Sequence, residues 1–139
     1  MQNTANIWSA PITRARLLEE ALHSVNSGVL VVDEEGIIRY ANTAACEGFG
    51  WRSLDGVPLS DLVPLGKREK HIGGFEGFVK SPAANGTVCV NGLHRNGEEI
   101  PVEVNVSYSR VDGNFVVTAS IDFREASTAA TGFGGSNEQ

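Results

Sequence analysis

Residues 87–121, TVCVNGLHRNGEEIPVEVNVSYSRVDGNFVVTASI, decide the fold. Thr87 to Arg95 reads as a strand, and Asn96-Gly97 is a two-residue hairpin signal, because Gly97 admits the positive dihedral that such a turn needs. From Pro101 to Tyr108 the chain alternates. Val102, Val104, Val106 and Tyr108 fall on one face, and Glu103, Asn105 and Ser107 fall on the other. Pro101 suits a strand start or bulge, where its missing N–H does no harm. Asp112-Gly113-Asn114 turns the chain again, and Phe115, Val117, Ala119 and Ile121 line one face of a last strand. The stretch is a three-stranded meander with one apolar face that needs cover.

Two more strands lie upstream. Val29–Asp33 and Ile37–Ala41 are short apolar runs joined by Glu34-Glu35-Gly36, a hairpin whose turn Gly36 permits. Between the hairpin and the meander the helical signals are brief. Asn42 is placed to cap Thr43–Glu47 and to tie that helix to the sheet edge. Gly48, Gly50 and Gly56 then interrupt the chain, and Leu59–Leu62 makes another short helix that ends at Pro64. Lys67–Lys80 is a longer helix with His71, Phe75 and Phe78 on one face, weakened by Gly73, Gly74 and Gly77. Near the N-terminus, Ala15, Leu18, Leu22 and Val25 recur at three- and four-residue steps opposite Arg14, Arg16, Glu19 and Glu20, an amphipathic helix.

The order predicts an α+β fold: a five-stranded antiparallel sheet with short helices packed on one face and an N-terminal amphipathic flanking helix. The domain divides as a flexible arm over 1–11, the flanking helix over 12–26, the sheet domain over 27–124 and a disordered polar tail over 125–139, where Ala, Ser, Thr and Gly dominate. At 139 residues, one core is expected.

Composition narrows the function. The net charge is −6 and the basic residues are scattered, with Lys67-Arg68-Glu69-Lys70 the densest group, so a direct nucleic-acid contact is not expected. Mean hydropathy is −0.11 and no apolar run nears the roughly 18 residues of a membrane span. Met1–Pro11 has neither a basic start nor a long apolar stretch, which makes the cytoplasm the expected location. Cys46 and Cys89 are too far apart for a CxxC centre or zinc site and are read as reduced thiols. No nucleophile–base pair, carboxylate pair or phosphate loop has recognisable spacing, so no catalytic residues are assigned and an enzyme is not expected. Asp33, Glu34 and Glu35 are read as a solvated turn.

The element order and the residues Ser27–Asn42, Phe49-Gly50-Trp51, Gly56, Leu62-Val63-Pro64, Arg68, His71 and Arg95–Val104 resemble the PAS family from about Leu18 to Asp122. The resemblance implies a sensory, signal-transducing domain that binds a small ligand or cofactor between sheet and helices, or another protein through the sheet. It also implies a homodimer formed through the flanking helix, at Leu18, Leu22 and Val25. The family often ends in an Asp-Ile-Thr-like motif, whereas here Asp122 precedes Phe123-Arg124-Glu125. An effector acting in trans (a kinase, a cyclase or a transcription regulator) is therefore expected.

Within that resemblance, Arg68-Glu69-Lys70-His71 is similar to the region of heme-binding PAS oxygen sensors that supplies an axial His. His71 is thus the candidate ligand of heme b iron, and Phe75, Phe78, Val88, Val90 and Trp51 are the candidate ligand contacts. A packed core imidazole is the other reading of His71, and the pocket arginine of the heme sensors falls near the apolar Val88. A flavin fits less well, because Leu59–Leu62 lacks the cysteine of the light-sensing relatives. Trp51 is expected in the core or in a pocket wall, and His23 and His94 in structural or surface positions. A ligand-free interaction adaptor stays open beside the ligand-binding and heme readings.

Overall fold

The structure, a computed structural model, describes residues 10–80 and 86–124, with side chains taken only outside 76–80. Residues 1–9 of the expected arm over 1–11, the tail over 125–139 and the Phe78 side chain lie outside the described residues. The elements are α1 (Pro11–His23), β1 (Gly28–Asp33), β2 (Ile38–Ala41) and α2 (Thr43–Phe49). Two 3-10 turns follow (Leu59–Leu62 and Leu65–Lys67), then α3 (Arg68–Lys80), β3 (Gly86–Leu93), β4 (Glu99–Val111) and β5 (Asn114–Phe123). The strands form one antiparallel sheet in the order β2-β1-β5-β4-β3, the α+β architecture expected from the sequence.

Register carries the alternation across the sheet. Val106 pairs with Ala119, Ala119 with Leu30 and Leu30 with Ala41, so one row of apolar side chains crosses four strands. A second row runs Val88–Val104–Ile121–Gly28. Leu30, Val32, Val102, Phe115, Val117, Ala119 and Ile121 are all buried, and Ile38, Ala45, Phe49, Leu54 and Leu62 pack over them. At about 25 cal/mol per Å² of apolar surface removed from water, this single layer over a single sheet is the main source of stability.

Some boundaries differ from expectation. The flanking helix starts at Pro11, whose missing N–H is harmless in a first turn, and stops at His23 rather than 26. It stops there because the Ser24 hydroxyl donates to the Ala21 carbonyl and the Asn42 amide donates to the Leu22 carbonyl. Val25 therefore lies beyond the helix. The turn at Asn96-Gly97 is wider than a two-residue hairpin: His94 N–H bonds to Glu98 O and Gly97 N–H to His94 O, with Gly97 at φ 98°. That is a three-residue loop closed by a left-handed glycine. The true two-residue turn is Asp112-Gly113, with both residues at positive φ and Val111 paired to Asn114. Leu59–Leu62 is a 3-10 turn, not an α-helix. Asp33 is no loosely solvated carboxylate, since it accepts from Glu35 N–H, Ile37 N–H and Arg39 Nε and so fixes the first hairpin.

Asn42 does what the sequence suggested. It is fully buried and uses its whole amide. Oδ1 accepts from Val29 N–H at 2.8 Å and from Ala45 N–H at 3.0 Å, capping α2. Nδ2 donates to Leu22 O at 2.8 Å and to Ser27 O at 3.0 Å. Three elements meet on this one side chain. Asn42→Ala strands the Val29 and Ala45 N–H groups and the Ser27 carbonyl, while the Leu22 carbonyl keeps the Val25 N–H, and each stranded group costs about 1–3 kcal/mol where water cannot replace the partner. The variant is expected to lose about 3 kcal/mol of stability in urea denaturation, whereas Asn26→Ala on the exposed turn loses less than about 0.5 kcal/mol.

Candidate functional site

The apolar face of the sheet is not filled by the helices laid over it. Between them lies a cavity of about 510 Å³. Its floor is strand side chains: Leu30 and Val32 of β1, Val117, Ala119 and Ile121 of β5, and Val102, Val104 and Val106 of β4. Phe49 of α2 and Leu59, Leu62 and Val63 close one side, and His71, Gly74 and Phe75 of α3 form the roof. Gly86, Val88, Val90 and Gly92 of β3 complete the wall. Val88 and Val90 are each about half exposed (51% and 49%), so the cavity opens to solvent along this edge strand. Gly92 must be glycine, because the Phe49 ring occupies the space that a Cβ would need.

Polar groups are scarce in this lining. The two polar residues are His71 and Asn91. Asn91 alternates out of phase with Val90 and Gly92, and its Nδ2 donates to Glu99 at 3.1 Å, so its side chain is spent on the outer face of the sheet. His71 is different. Its Nδ1 is buried with no hydrogen-bond partner, and its ring stacks on Phe75 with centroids 6.4 Å apart. Burial pushes the imidazole below its ordinary range and favours the neutral ring. His71, Leu59 and Phe75 also line a second hollow of about 410 Å³, together with Glu34, Glu35 and Gly36. The pair His71–Phe75 is thus a partition between an apolar interior and an acidic surface turn.

The structure brings His71, Phe75, Val88 and Val90 together around one cavity. Trp51 is not among the lining residues and is corrected as a ligand contact. It sits half-buried at the edge of the core, beneath the Arg95 guanidinium at 4.5 Å from the ring centroid. It lines a separate cleft of about 430 Å³ with His23, Tyr40 and Cys46. The reason is local: Gly50 ends α2 in a left-handed cap at φ 79°, which sends Trp51 away from the sheet. His94 packs its ring against Gly50, where a Cβ would sit, and its Nδ1 accepts from Asn96 N–H, so it shapes a turn instead of facing solvent.

Most wall residues were not singled out from the sequence as ligand contacts, Gly74, Leu59 and Leu62 among them. Gly74 lies three residues after His71 on the same face of α3, a signal hidden because glycine has no apolar side chain to count. Leu59 and Leu62 sit on a 3-10 turn whose period gives no amphipathic pattern. His23 also carries more than expected: its Nδ1 lies 3.0 Å from Thr43 N and accepts that N–H, and its ring lies 5.7 Å from Tyr40. On α1, Ile12 and Leu18 are 79% and 57% exposed and no residue of the helix is buried, while Leu22 is half-buried and Val25, past the helix end, is exposed.

A family model described as the PAS fold matches residues 16–121. The sensor protein FixL of Bradyrhizobium diazoefficiens (strain JCM 10833 / BCRC 13528 / IAM 13628 / NBRC 14792 / USDA 110) is 28% identical over 106 residues, covering 73% of this chain. The chain spans about a fifth (21%) of that protein's length. Among solved structures, a PAS domain from a two-component sensor histidine kinase superposes with a TM-score of 0.71 at 12% identity, covering 83% of this chain and all of the other. The PAS domain of the RpfR quorum-sensing receptor of Cronobacter turicensis, solved in complex with BDSF, gives 0.56 at 15% identity, covering 70% and 93%. These likenesses establish the fold. Among the described residues, no helix is long and apolar enough to cross a membrane.

Because burial in the fold disfavours the charged His71 ring and the unfolded chain imposes no such burial, the linkage has a definite sign. Stability is full above the ordinary imidazole value of about 6.5 and falls as pH drops towards the lowered value in the fold. Urea midpoints measured from pH 7.5 to 5.5 are expected to fall, and to fall less in His71→Leu, where that proton has no site.

Proposed function

This chain belongs to the PAS fold family, and on that premise we propose that it is a sensory module that takes a small molecule into the cavity between sheet and α3 and passes the signal on through protein contacts. The cavity itself carries the reading. Protein interiors are close-packed with few voids larger than a water molecule, and an apolar hollow of about 510 Å³ in a domain this small is of ligand size. The module works by binding, not catalysis: among its described lining residues His71 is the sole titratable side chain, with no second acid, base or nucleophile to act with it. RpfR's PAS domain in complex with BDSF supports a ligand in this fold, and FixL supports a place in sensing. The cytoplasm is the location proposed for such a module.

A second reading, heme held by His71, rests on one observation, the imidazole in the lining of the cavity, where burial disfavours its charged form. A neutral imidazole can ligate heme iron, which would supply gas or redox chemistry. The rest of the lining fits the group less well, since no cationic side chain among the described lining residues stands ready for its two carboxylates. Val88 in the wall, where the resemblance placed an arginine, is part of that misfit. Native mass spectrometry of the purified chain is expected to show a mass increment from a non-covalent small molecule. Added hemin is expected to give no Soret band that His71→Ala removes. Such a band would install the heme reading, and neither increment nor band would leave the interaction adaptor.

The protein contact proposed is a homodimer through α1. Leu18 is exposed, Leu22 one turn on is half-buried, and Val25 just beyond the helix is exposed, so this side of α1 keeps apolar surface that the domain does not cover. An effector (a kinase, a cyclase or a transcription regulator) receives the signal in trans. Sedimentation equilibrium at micromolar concentration is expected to show a dimer. Leu18→Glu places a charge on the seam and is expected to weaken association by at least about tenfold while leaving the monomer fold intact. A wild-type monomer under these conditions overturns the dimer.

A further inference from the structure

We infer that Phe49 and Gly92 set the length of the molecule the cavity accepts: Gly92, by having no side chain, lets the Phe49 ring stand back as the end wall. This rests on the cavity being a ligand site, as proposed above, and names the residues that select by size. Along β3 the lining takes Gly86, Val88, Val90 and Gly92, every second residue of one strand. Their register partners on β4 include Val106, Val104 and Val102, which line the cavity in the same order. The hollow therefore follows the strands, and Gly86 to Gly92 spans about 20 Å. Gly92 is buried at one end of that run, beside Phe49 and Leu62.

At that end two aromatic rings stand in room that three glycines leave. A Cβ on Gly92 would lie 2.8 Å from Cε1 of Phe49 and 3.5 Å from the Leu62 carbonyl oxygen. Behind Phe49 stands Phe123, edge-on, with ring centroids 5.1 Å apart. Phe123 is itself seated against Gly48 of α2, where a Cβ would overlap its ring, and against Gly28 of β1, where a Cβ would lie 3.2 Å from it. Gly48 lies inside a seven-residue helix, where glycine is a poor helix former, and its missing side chain is what admits the Phe123 ring. Phe49 is 3% exposed, so the ring has no room to retreat on this side. The open space that borders it is the cavity. A methyl group at Gly92 thus pushes the ring into the cavity and shortens it from this end. At Val88 and Val90 an added methyl meets solvent at the open edge and shortens nothing.

The test is a chain-length series with a constant head group. The apolar dye N-phenyl-1-naphthylamine is bound to the whole chain at pH 7.5 and displaced by 1-hexanol, 1-octanol or 1-decanol. The quantity read is the ratio of decanol to hexanol affinity within one variant, in which any change in dye binding cancels. Each methylene that finds room gains about fourfold. Gly92→Ala is expected to lower the ratio at least about tenfold, and Phe49→Leu to raise it at least about threefold. The double variant Gly92→Ala, Phe49→Leu removes the ring that the methyl displaces and is expected to return the ratio to within about threefold of wild type. An unchanged ratio in Gly92→Ala overturns the inference, including the case in which all three alcohols weaken alike, and so does a double variant no better than Gly92→Ala. If Gly92→Ala does not fold, an unchanged ratio in Phe49→Leu overturns it. If neither dye nor any alcohol binds the wild-type chain, the ligand-site reading itself falls, a failure distinct from the others.

Discussion

The Asn42 side chain is the constraint on which the rest depends. A four-residue β2, a seven-residue α2 and a 13-residue α1 are each too short to hold their shape alone. Asn42 lets them hold it together, because one planar amide meets two donors and two acceptors from α1, the start of β1 and the first turn of α2. An aspartate would keep the two acceptances and lose both donations, placing a carboxylate against the carbonyls of Leu22 and Ser27. A serine would cap α2 but reach nothing else. The fold therefore selects an amide here for geometric reasons, and a fully satisfied buried polar group fixes one arrangement of its neighbours where apolar contacts would allow several.

The cavity follows from the same economy of elements. A single sheet needs one layer over its apolar face, and here that layer is a seven-residue helix, two 3-10 turns and a glycine-rich α3. Such pieces cover the sheet's near end, where Phe49, Leu54 and Leu62 are buried. They do not cover the β3 side, where Val88 and Val90 stay half exposed. Gly73 and Gly74 have open space where a Cβ would be, so that part of α3 presents backbone and not side chains to its surroundings. The glycines that weaken α3 as a helix are also what leaves room beneath it.

The sheet was legible because its signal is period two over long runs. Val102, Val104 and Val106 of one run and Phe115, Val117, Ala119 and Ile121 of the other share one face, and a slip by one residue would turn them outward. Asn42 was legible because a capping residue directly after a strand has few other uses. What could not be read was the direction of side chains at irregular points. Trp51 looks like a pocket residue until the left-handed Gly50 turns it towards Arg95. The Asn96-Gly97 pair signals a turn, yet its loop length depends on the His94–Glu98 pairing, which only the partner strand sets. His71 and Phe75 were found by helical spacing, but the loss of every partner at Nδ1 depends on elements distant in sequence.

The two ends of α2 answer to different neighbours. At its start, Asn42 holds the Leu22 carbonyl, and the first N–H of the helix, from Thr43, bonds the His23 imidazole, so the C-terminal turn of α1 rests on the N-terminal turn of α2. At its end, Phe49 is part of the cavity wall, stacks edge-on against Phe123 at 5.1 Å and fits the space left by Gly92. Seven residues at 1.5 Å per residue put these ends only about 10 Å apart. No residue of α1 is buried, and the hydrogen bonds that tie it to the sheet domain come from its last turn, at Leu22 and His23. A helix this short, bonded at one end and packed at the other, has little room to bend. The cavity wall and the seat of the flanking helix are therefore two ends of one rigid piece.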